Sequence, residues 1–310
     1  RRGVDSRYVV YLMKSDYFTS ELIKRERGIG SGEQTGVRTT EVPFRILRTV
    51  EVFLPESVEQ VVIADFLDRE TAKIDALIEK QRALVNGLQE RRSAVIEAGV
   101  QLGPRVRLVS LLTMSQTGPF GTQLSASEYV EGGTPVVNPT HIKNGRVEPD
   151  RGISLSPAKV AQLARHQLQL HDIILGRKGD VEKSAIVRAS EVGWVCGSDS
   201  MVLRPDAAMV QPRYLWWYFQ SRDCHRQLER GSVGSTVSGL NQRAIREVSL
   251  PCPDLVTQAE AASMLDDQIR ELDGLLAKAE RFIELAKERR AALITAAVTG
   301  QLDVATGKVA

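Results

Sequence analysis

The sequence predicts an α+β protein in which globular mixed α/β domains are joined by two long antiparallel coiled-coil helices, arranged as a pseudo-two-fold repeat. Three observations carry this prediction. Residues 54–100 and 250–298 resemble each other at an offset of 198, the self-similarity that repeat architectures leave in sequence. Both segments carry apolar residues at steps of three and four, the period of a packed helix. Between them, 104–250 breaks into short β-rich runs separated by Gly, Pro and Asn turns, the pattern of a mixed domain.

Residues 1–55 read as the C-terminal remnant of a first globular domain. Arg7-Tyr8 and Ser15 match Arg213-Tyr214 and Ser221 at an offset of 206, so residue 1 corresponds to about residue 207, deep inside a unit that starts near Pro104. An N-terminally incomplete form of a two-unit protein is therefore expected, and the chain opens on Arg1-Arg2-Gly3 rather than Met.

Residues 56–103 form the first long helix, with the stripe 63, 67, 70, 74, 77, 81, 84, 88, 91, 95 and 98. Its counterpart at plus 198 lies in the second long helix, 251–303, before a short tail, 304–310. Gln60 matches Gln258, Asp68 matches Asp266, Asp75 matches Asp273 and Glu90-Arg91-Arg92 matches Glu288-Arg289-Arg290. At 1.5 Å per residue, about 40 helical residues reach roughly 60 Å. Leu67, Ile74, Leu77, Leu84, Leu88, Leu265, Leu272, Leu275, Phe282 and Leu293 are assigned to the helix pair or to a docked partner. Phe66, Ile78, Val85 and Ile96, with Met264, Leu276, Ile283 and Ile294, widen the stripe beyond a two-helix seam. The surplus either docks a partner or packs on the chain's own globular domains.

In 104–250, strands are expected around 134–138, 172–180, 184–187 and 199–205, and helices at 157–163 and 212–228. Composition bounds the function. With 310 residues and 42% hydrophobic content the chain can bury real cores. Cys196, Cys224 and Cys252 form no CxxC pair, which suits a reducing cytoplasm. The longest apolar stretches fall far short of the roughly 20 residues a membrane span needs, and no signal pattern opens the chain.

Catalytic signatures fail on inspection. Gly176–Ser184 has Glu182 where a phosphate loop needs Gly before Lys-Ser. No dinucleotide fingerprint or GxSxG occurs, and His141, His166, His171 and His225 have no metal-ligand spacing with the cysteines. A non-catalytic chain without its own cofactor or metal is expected.

Charge is sorted along the chain. The formal total of +2 alone argues against nucleic-acid binding, but it resolves into +3 for 1–55, −3 for 56–103, +5 for 104–250 and −3 for 251–310. Two basic globular pieces are offset by two acidic helices. Basic residues of the middle domain gather on predicted turns: Lys143 and Arg146 around Asn144-Gly145, then Arg177, Lys178 and Lys183. Lys and Arg on turns reach phosphates, and neighbouring polar side chains such as Ser235, Thr236 and Asn241 can read base edges. The plain alternative for each is a solvated surface charge.

The phrases 66–96 and 264–303, together with 118–145 and 172–187, resemble the specificity subunit of type I restriction-modification enzymes, in that family's order of recognition domain, spacer helix, recognition domain, spacer helix. The resemblance implies a sequence-specific DNA-binding subunit in which 1–55 is the remnant of the first target-recognition domain and 104–250 is the second. It implies that each domain reads half of a bipartite double-stranded target while the helices set the gap between halves. It further implies cytoplasmic methyltransferase (modification) partners holding S-adenosylmethionine, and a restriction motor-nuclease subunit. The competing reading is a coiled-coil assembly scaffold whose α+β domain binds protein.

Overall fold

Short polar side chains open the first helices. Asp5 accepts from the Arg7 and Tyr8 amides at the start of α1 (Ser6–Lys14), and Ser15 accepts from Phe18 at the start of α2 (Asp16–Ile23), satisfying amides that have no partner within the helix. The elements that follow are β1 (Arg27–Gly28), β2 (Thr40–Glu41), α3 (Phe44–Leu47), α4 (Ser57–Gly99), β3 (Arg105–Arg107), β4 (Leu112–Thr117), β5 (Thr134–Val137), β6 (Ile142–Lys143), β7 (Arg146–Val147) and β8 (Ser154–Leu155). Then come α5 (Pro157–Gln162), β9 (Ile173–Gly176), β10 (Ser184–Ile186), β11 (Val195–Cys196), β12 (Ser200–Pro205), α6 (Pro212–Phe219), α7 (Arg222–Ser232), α8 (Gln242–Glu247), β13 (Ser249–Pro251), α9 (Leu255–Val298), β14 (Leu302–Asp303) and β15 (Lys308–Val309). This computed structural model describes residues 3–24, 27–28, 40–41, 44–119, 121–177, 183–232, 240–304 and 308–309. The expected helix over 212–228 divides at Ser221, whose hydroxyl accepts from the Cys224 amide and restarts the chain as α7.

Contacts divide the chain into two compact units, Arg1–Leu88 with Gly274–Ala310, and Gln89–Asp273. The two long helices contribute to both. In the first unit Tyr8, Leu12, Ile63, Leu67, Ile294, Ala297 and Val298 form one buried cluster. Asp75, two turns beyond Leu67, binds Arg290 at 2.9 Å, so α4 and α9 run antiparallel there. In the second unit Arg92 binds Asp273 at 2.9 Å, and Gly99 sits against Leu265 with the same polarity.

The sequence repeat reappears as repeated bonds. Tyr8 Oη donates to Phe53 O and Val298 O, as Tyr214 Oη does to Pro251 O and Val100 O. Gln60 receives the Asp5 amide and donates to Pro55 O. Its twin Gln258 receives the Gln211 amide and donates to Pro253 O. Arg7 pairs with Asp68 at 2.9 Å and Arg213 with Asp266 at 2.7 Å. Burial pushes the Tyr8 hydroxyl up to about 12 and that of Tyr214 higher still, so both stay protonated as donors.

The helix seam differs from the stripe picked out by periodicity. Leu67, Leu265 and Leu272 are buried and Ile74, Leu88 and Leu293 half-buried, but Leu77, Leu84, Leu275 and Phe282 are exposed. Ile78, Ile96, Ile283 and Ile294, from the flanking row, are buried instead. A row stepping by three and four with apolar neighbours beside it admits two seams one residue apart, because 3.6 residues per turn does not divide seven. The facing helix selects between them.

In the second unit, β10-β9-β12-β4 form a four-stranded antiparallel sheet, and β11-β5-β8 a smaller one with β11 parallel to β5. Every residue of β9 is buried, as expected for a continuous apolar run in a doubly covered strand. One face packs into a cluster with Val137, Ile142, Val147, Leu168, Val187 and Cys196. Trp216 on α6 donates to Ser184 O of β10.

Candidate nucleic-acid interface

The sheet register gathers the loops expected to face DNA. Thr117 at the end of β4 is opposite Met201, Gly176 at the end of β9 is opposite Ser200, and Ser184 at the start of β10 is opposite Leu175. Gly118, Arg177, Lys183 and Asp199, next to these four strand ends, therefore share one end of the sheet. The chain crosses itself closely there. The Gly118 amide donates to Ser200 O at 3.0 Å, and a Cβ on Gly118 would fall on the Gly197 carbonyl oxygen. Both colliding groups are backbone and cannot swing aside. Gly118→Ala is expected to cost about 3 kcal/mol, the upper part of the range for overpacking; equilibrium urea unfolding checks this, and a cost below about 1 kcal/mol would refute the crossing as a constraint.

The Lys143/Arg146 hairpin joins the same end. Asn144 and Gly145 take φ of 49° and 71°, the two positive values that a two-residue hairpin turn needs and an Asn-Gly pair accepts. Gly145 lies against the Trp216 ring, so closely that any Cβ would strike it. The same indole donates to Ser184 O. One ring thus holds the hairpin turn beside the segment that leaves Lys183.

Taken singly, the candidate residues differ in use. Lys143 is exposed and bridges to Glu148 at 2.7 Å; Arg146 is exposed. The Arg177 guanidinium is engaged, Nε donating to Leu240 O at 3.0 Å and Nη1 to Ser198 O at 3.4 Å, while the Arg177 amide and carbonyl bond Asp199 and Leu240. It ties three chain segments together at the base of the candidate surface. Lys183 is half-buried and already has an interaction. Asn241 caps α8, its Oδ1 accepting the Ala244 amide at 2.9 Å, a structural use that its position before a helical run could have signalled. Lys178, Ser235 and Thr236 lie outside the described residues.

Sequence reasoning missed the ion pair that braces the opposite end of this sheet, where β9 begins beside the far part of β12. Asp172, fully buried, accepts Arg204 through both oxygens at 2.8 Å and the Gln169 amide at 2.7 Å. Two such side chains 32 residues apart carry no shared local signal. Arg213, missed too, lies over Trp216 with its guanidinium carbon 4.3 Å from the ring centroid while pairing with Asp266. Burial pushes the Cys196 and Cys224 thiols up, which makes both poor nucleophiles. Among the described residues no group of His, Cys, Asp and Glu is arranged to hold a metal, and no helix is long and apolar enough to cross a membrane.

Comparison with known proteins agrees with this architecture. Residues 119–281 match the family described as Type I restriction modification DNA specificity domain. The type I restriction enzyme StySPI specificity subunit of Salmonella potsdam is 25% identical over 178 residues, which cover 55% of this chain and 37% of that protein. The chain thus spans little more than a third of that relative's length. In fold it is similar to the HsdS subunit of Thermoanaerobacter tengcongensis (TM-score 0.53, 16% identity, 97% of this chain and 72% of that one). It is also similar to a chain from a structure concerned with complex assembly and conformational transition of the type I R-M system (TM-score 0.67, 17% identity, 97% and 72%). With more than half of its residues matched by the family, the chain belongs to the type I restriction-modification DNA specificity family.

Proposed function

We propose that this chain reads half of a bipartite double-stranded DNA target through residues 104–250, and docks modification (methyltransferase) subunits through its long helices. The second recognition domain is 104–250, 1–55 is the remnant of the first, 56–103 and 251–303 are the spacer helices and 304–310 is a tail. The chain contributes recognition and no catalysis; S-adenosylmethionine sits on the modification subunits and cleavage belongs to a motor-nuclease subunit in the cytoplasm. One observation carries the reading: basic residues on two turns, Lys143 and Arg146 on one hairpin and Lys183 next to Ser184, flank Trp216, which packs against Gly145 and bonds Ser184 O at one end of the four-stranded sheet. Backbone phosphates are held by such charges, and sequence is read by the polar groups between them.

The test is DNA binding by the chain with a modification subunit, measured by anisotropy on duplexes bearing the site that methylation profiling assigns to it. Expected are tight binding to that duplex, weaker binding to scrambled sequence, and log K falling linearly with log salt. Absence of DNA affinity at low salt would overturn the reading in favour of the protein-binding scaffold.

Docking through the helices is supported by Leu84 (49% exposed) and Phe282 (41% exposed), which with Leu77 on α4 and Leu275 on α9 make an exposed apolar pair at heptad spacing on each helix, flanking the buried seam. Leu84→Asp with Phe282→Asp is expected to change unfolding free energy by less than about 0.5 kcal/mol, as for surface positions. The same variant should weaken modification-subunit binding at least tenfold in a pull-down titration; unchanged binding would move the docking site elsewhere.

A further inference from the structure

A line of contacts runs from the candidate DNA-facing hairpin to the second long helix, all of it within the second unit. Trp216, only 6% exposed, lies against Gly145 at the hairpin turn and donates through Nε1 to Ser184 O at 3.4 Å. The Arg213 guanidinium lies over that ring, 4.3 Å from its centroid, and its Nε and Nη2 reach Asp266 of α9 at 2.8 and 2.7 Å. Trp217 Nε1 donates to the same carboxylate at 2.8 Å, and its ring meets that of Trp216 edge-on with centroids 4.6 Å apart. The first unit repeats the helix end of this line. Arg7 and Tyr11, which match Arg213 and Trp217 at the offset of 206, bond Asp68 at 2.9 and 2.7 Å. Val10 stands in the place of Trp216. Bonds to the helix are therefore common to both units, and the ring that reaches the hairpin is what the second unit adds.

We propose that Arg213 is a positioning residue for DNA reading: held by Asp266, it fixes the Trp216 ring, and through it the 142–147 hairpin and the start of β10, to the second long helix. The role follows only if the hairpin faces DNA, as in the function proposed above. The chemistry needs each group as it is. A guanidinium can lie flat on an indole while its N–H fork meets a carboxylate, and an ammonium cannot do both. Asp266 Oδ1 is shared between Arg213 and Trp217, so one half-buried carboxylate orients both side chains. Gly145 accepts the ring this closely because it has no Cβ. The consequence is a hairpin ordered before DNA arrives. Lys143 and Arg146 then reach phosphates without the loss of affinity that ordering a loop on binding brings. A loosened hairpin would still carry its charges, so non-specific binding would survive while discrimination between sequences would fall.

Arg213→Lys in the full chain is the test, since lysine keeps the charge and the pairing with Asp266 but not the stack on Trp216. Amide exchange is followed at 142–148 and at 173–176, and anisotropy with the modification subunit compares the methylation-profiled target with a scrambled duplex. Expected is about tenfold faster exchange at 142–148 with 173–176 unchanged, in keeping with loss of a desolvated cation–π contact from a locally opening element. Target affinity should fall by about the same factor while scrambled-sequence affinity is kept. Asp266→Asn, which acts from the helix side, should move both readouts in the same direction and keeps the test open if Arg213→Lys folds poorly. A merely structural ion pair would leave 142–148 exchange and target preference as they are in Arg213→Lys. That result overturns the positioning role alone, as does exchange rising equally at 173–176. Faster exchange at 142–148 with unchanged target preference would instead overturn the DNA-facing reading of the hairpin, and this role with it.

Discussion

Replacing Asp172 with alanine is expected to lower the unfolding free energy by about 3–5 kcal/mol, the cost of breaking a buried ion pair by removing one partner. Asp172 is completely buried and both carboxylate oxygens are committed, each to Arg204 and one also to the Gln169 amide. Without it the Arg204 side chain, only 23% exposed, keeps a charge that neither solvent nor the Gln167 carbonyl at 3.4 Å compensates. The pair is not worth that much in net terms, because desolvation of both ions offsets most of their attraction. Asp172→Leu with Arg204→Met should therefore recover a large part of the loss. Urea unfolding of the two single variants and the double variant completes the cycle. A single-variant cost under about 1 kcal/mol, or a strictly additive double variant, would mean that the pair does not brace β9 against β12.

Removing the three convergent cations, as Lys143→Ala/Arg146→Ala/Lys183→Ala, is expected to weaken target DNA binding about 100-fold at low salt. It should also flatten the plot of log K against log salt by about 0.9 for each phosphate left unneutralised, up to roughly 2.7. Stability should change little at Lys143, whose bridge to Glu148 lies between two side chains each 59% exposed, and exposed bridges contribute about 0–1 kcal/mol. Lys183 is half-buried, so the double variant that retains it separates a binding loss from a folding loss. Unchanged DNA affinity and slope would favour the scaffold reading. Arg177→Lys offers a contrast: the two carbonyls it bonds need a forked donor, and the expected result is faster amide exchange at Arg177 and Leu240 with the salt slope preserved.

Local elements were legible where local rules dominate. Asn144-Gly145 becomes a hairpin turn because both residues tolerate positive φ. The run 173–175 becomes a buried strand because apolar β-formers in sequence suit a doubly covered position. Gln60 and Gln258, matched from sequence alone, make matching bonds in the two units because each closes the turn that enters its helix. The candidate site was legible only as composition. That Lys143, Arg146 and Lys183 share one end of a sheet depends on a register and on Trp216, and Arg177 and Asn241 turned out to hold backbone.

What the sequence alone determined is the repeat, the two long helices, the mixed domain between them and the sorting of basic charge into globular pieces, since all of these rest on spacing along the chain. Only the tertiary structure decided which apolar row became the helix seam, leaving Leu84 and Phe282 outside and Ile78 and Ile283 within. It alone decided that Asp172 would meet Arg204 and that two basic turns would be brought to one tryptophan. The physical reason is common to these cases. Each depends on groups distant in sequence competing for one place, and periodicity carries no information about which partner arrives there.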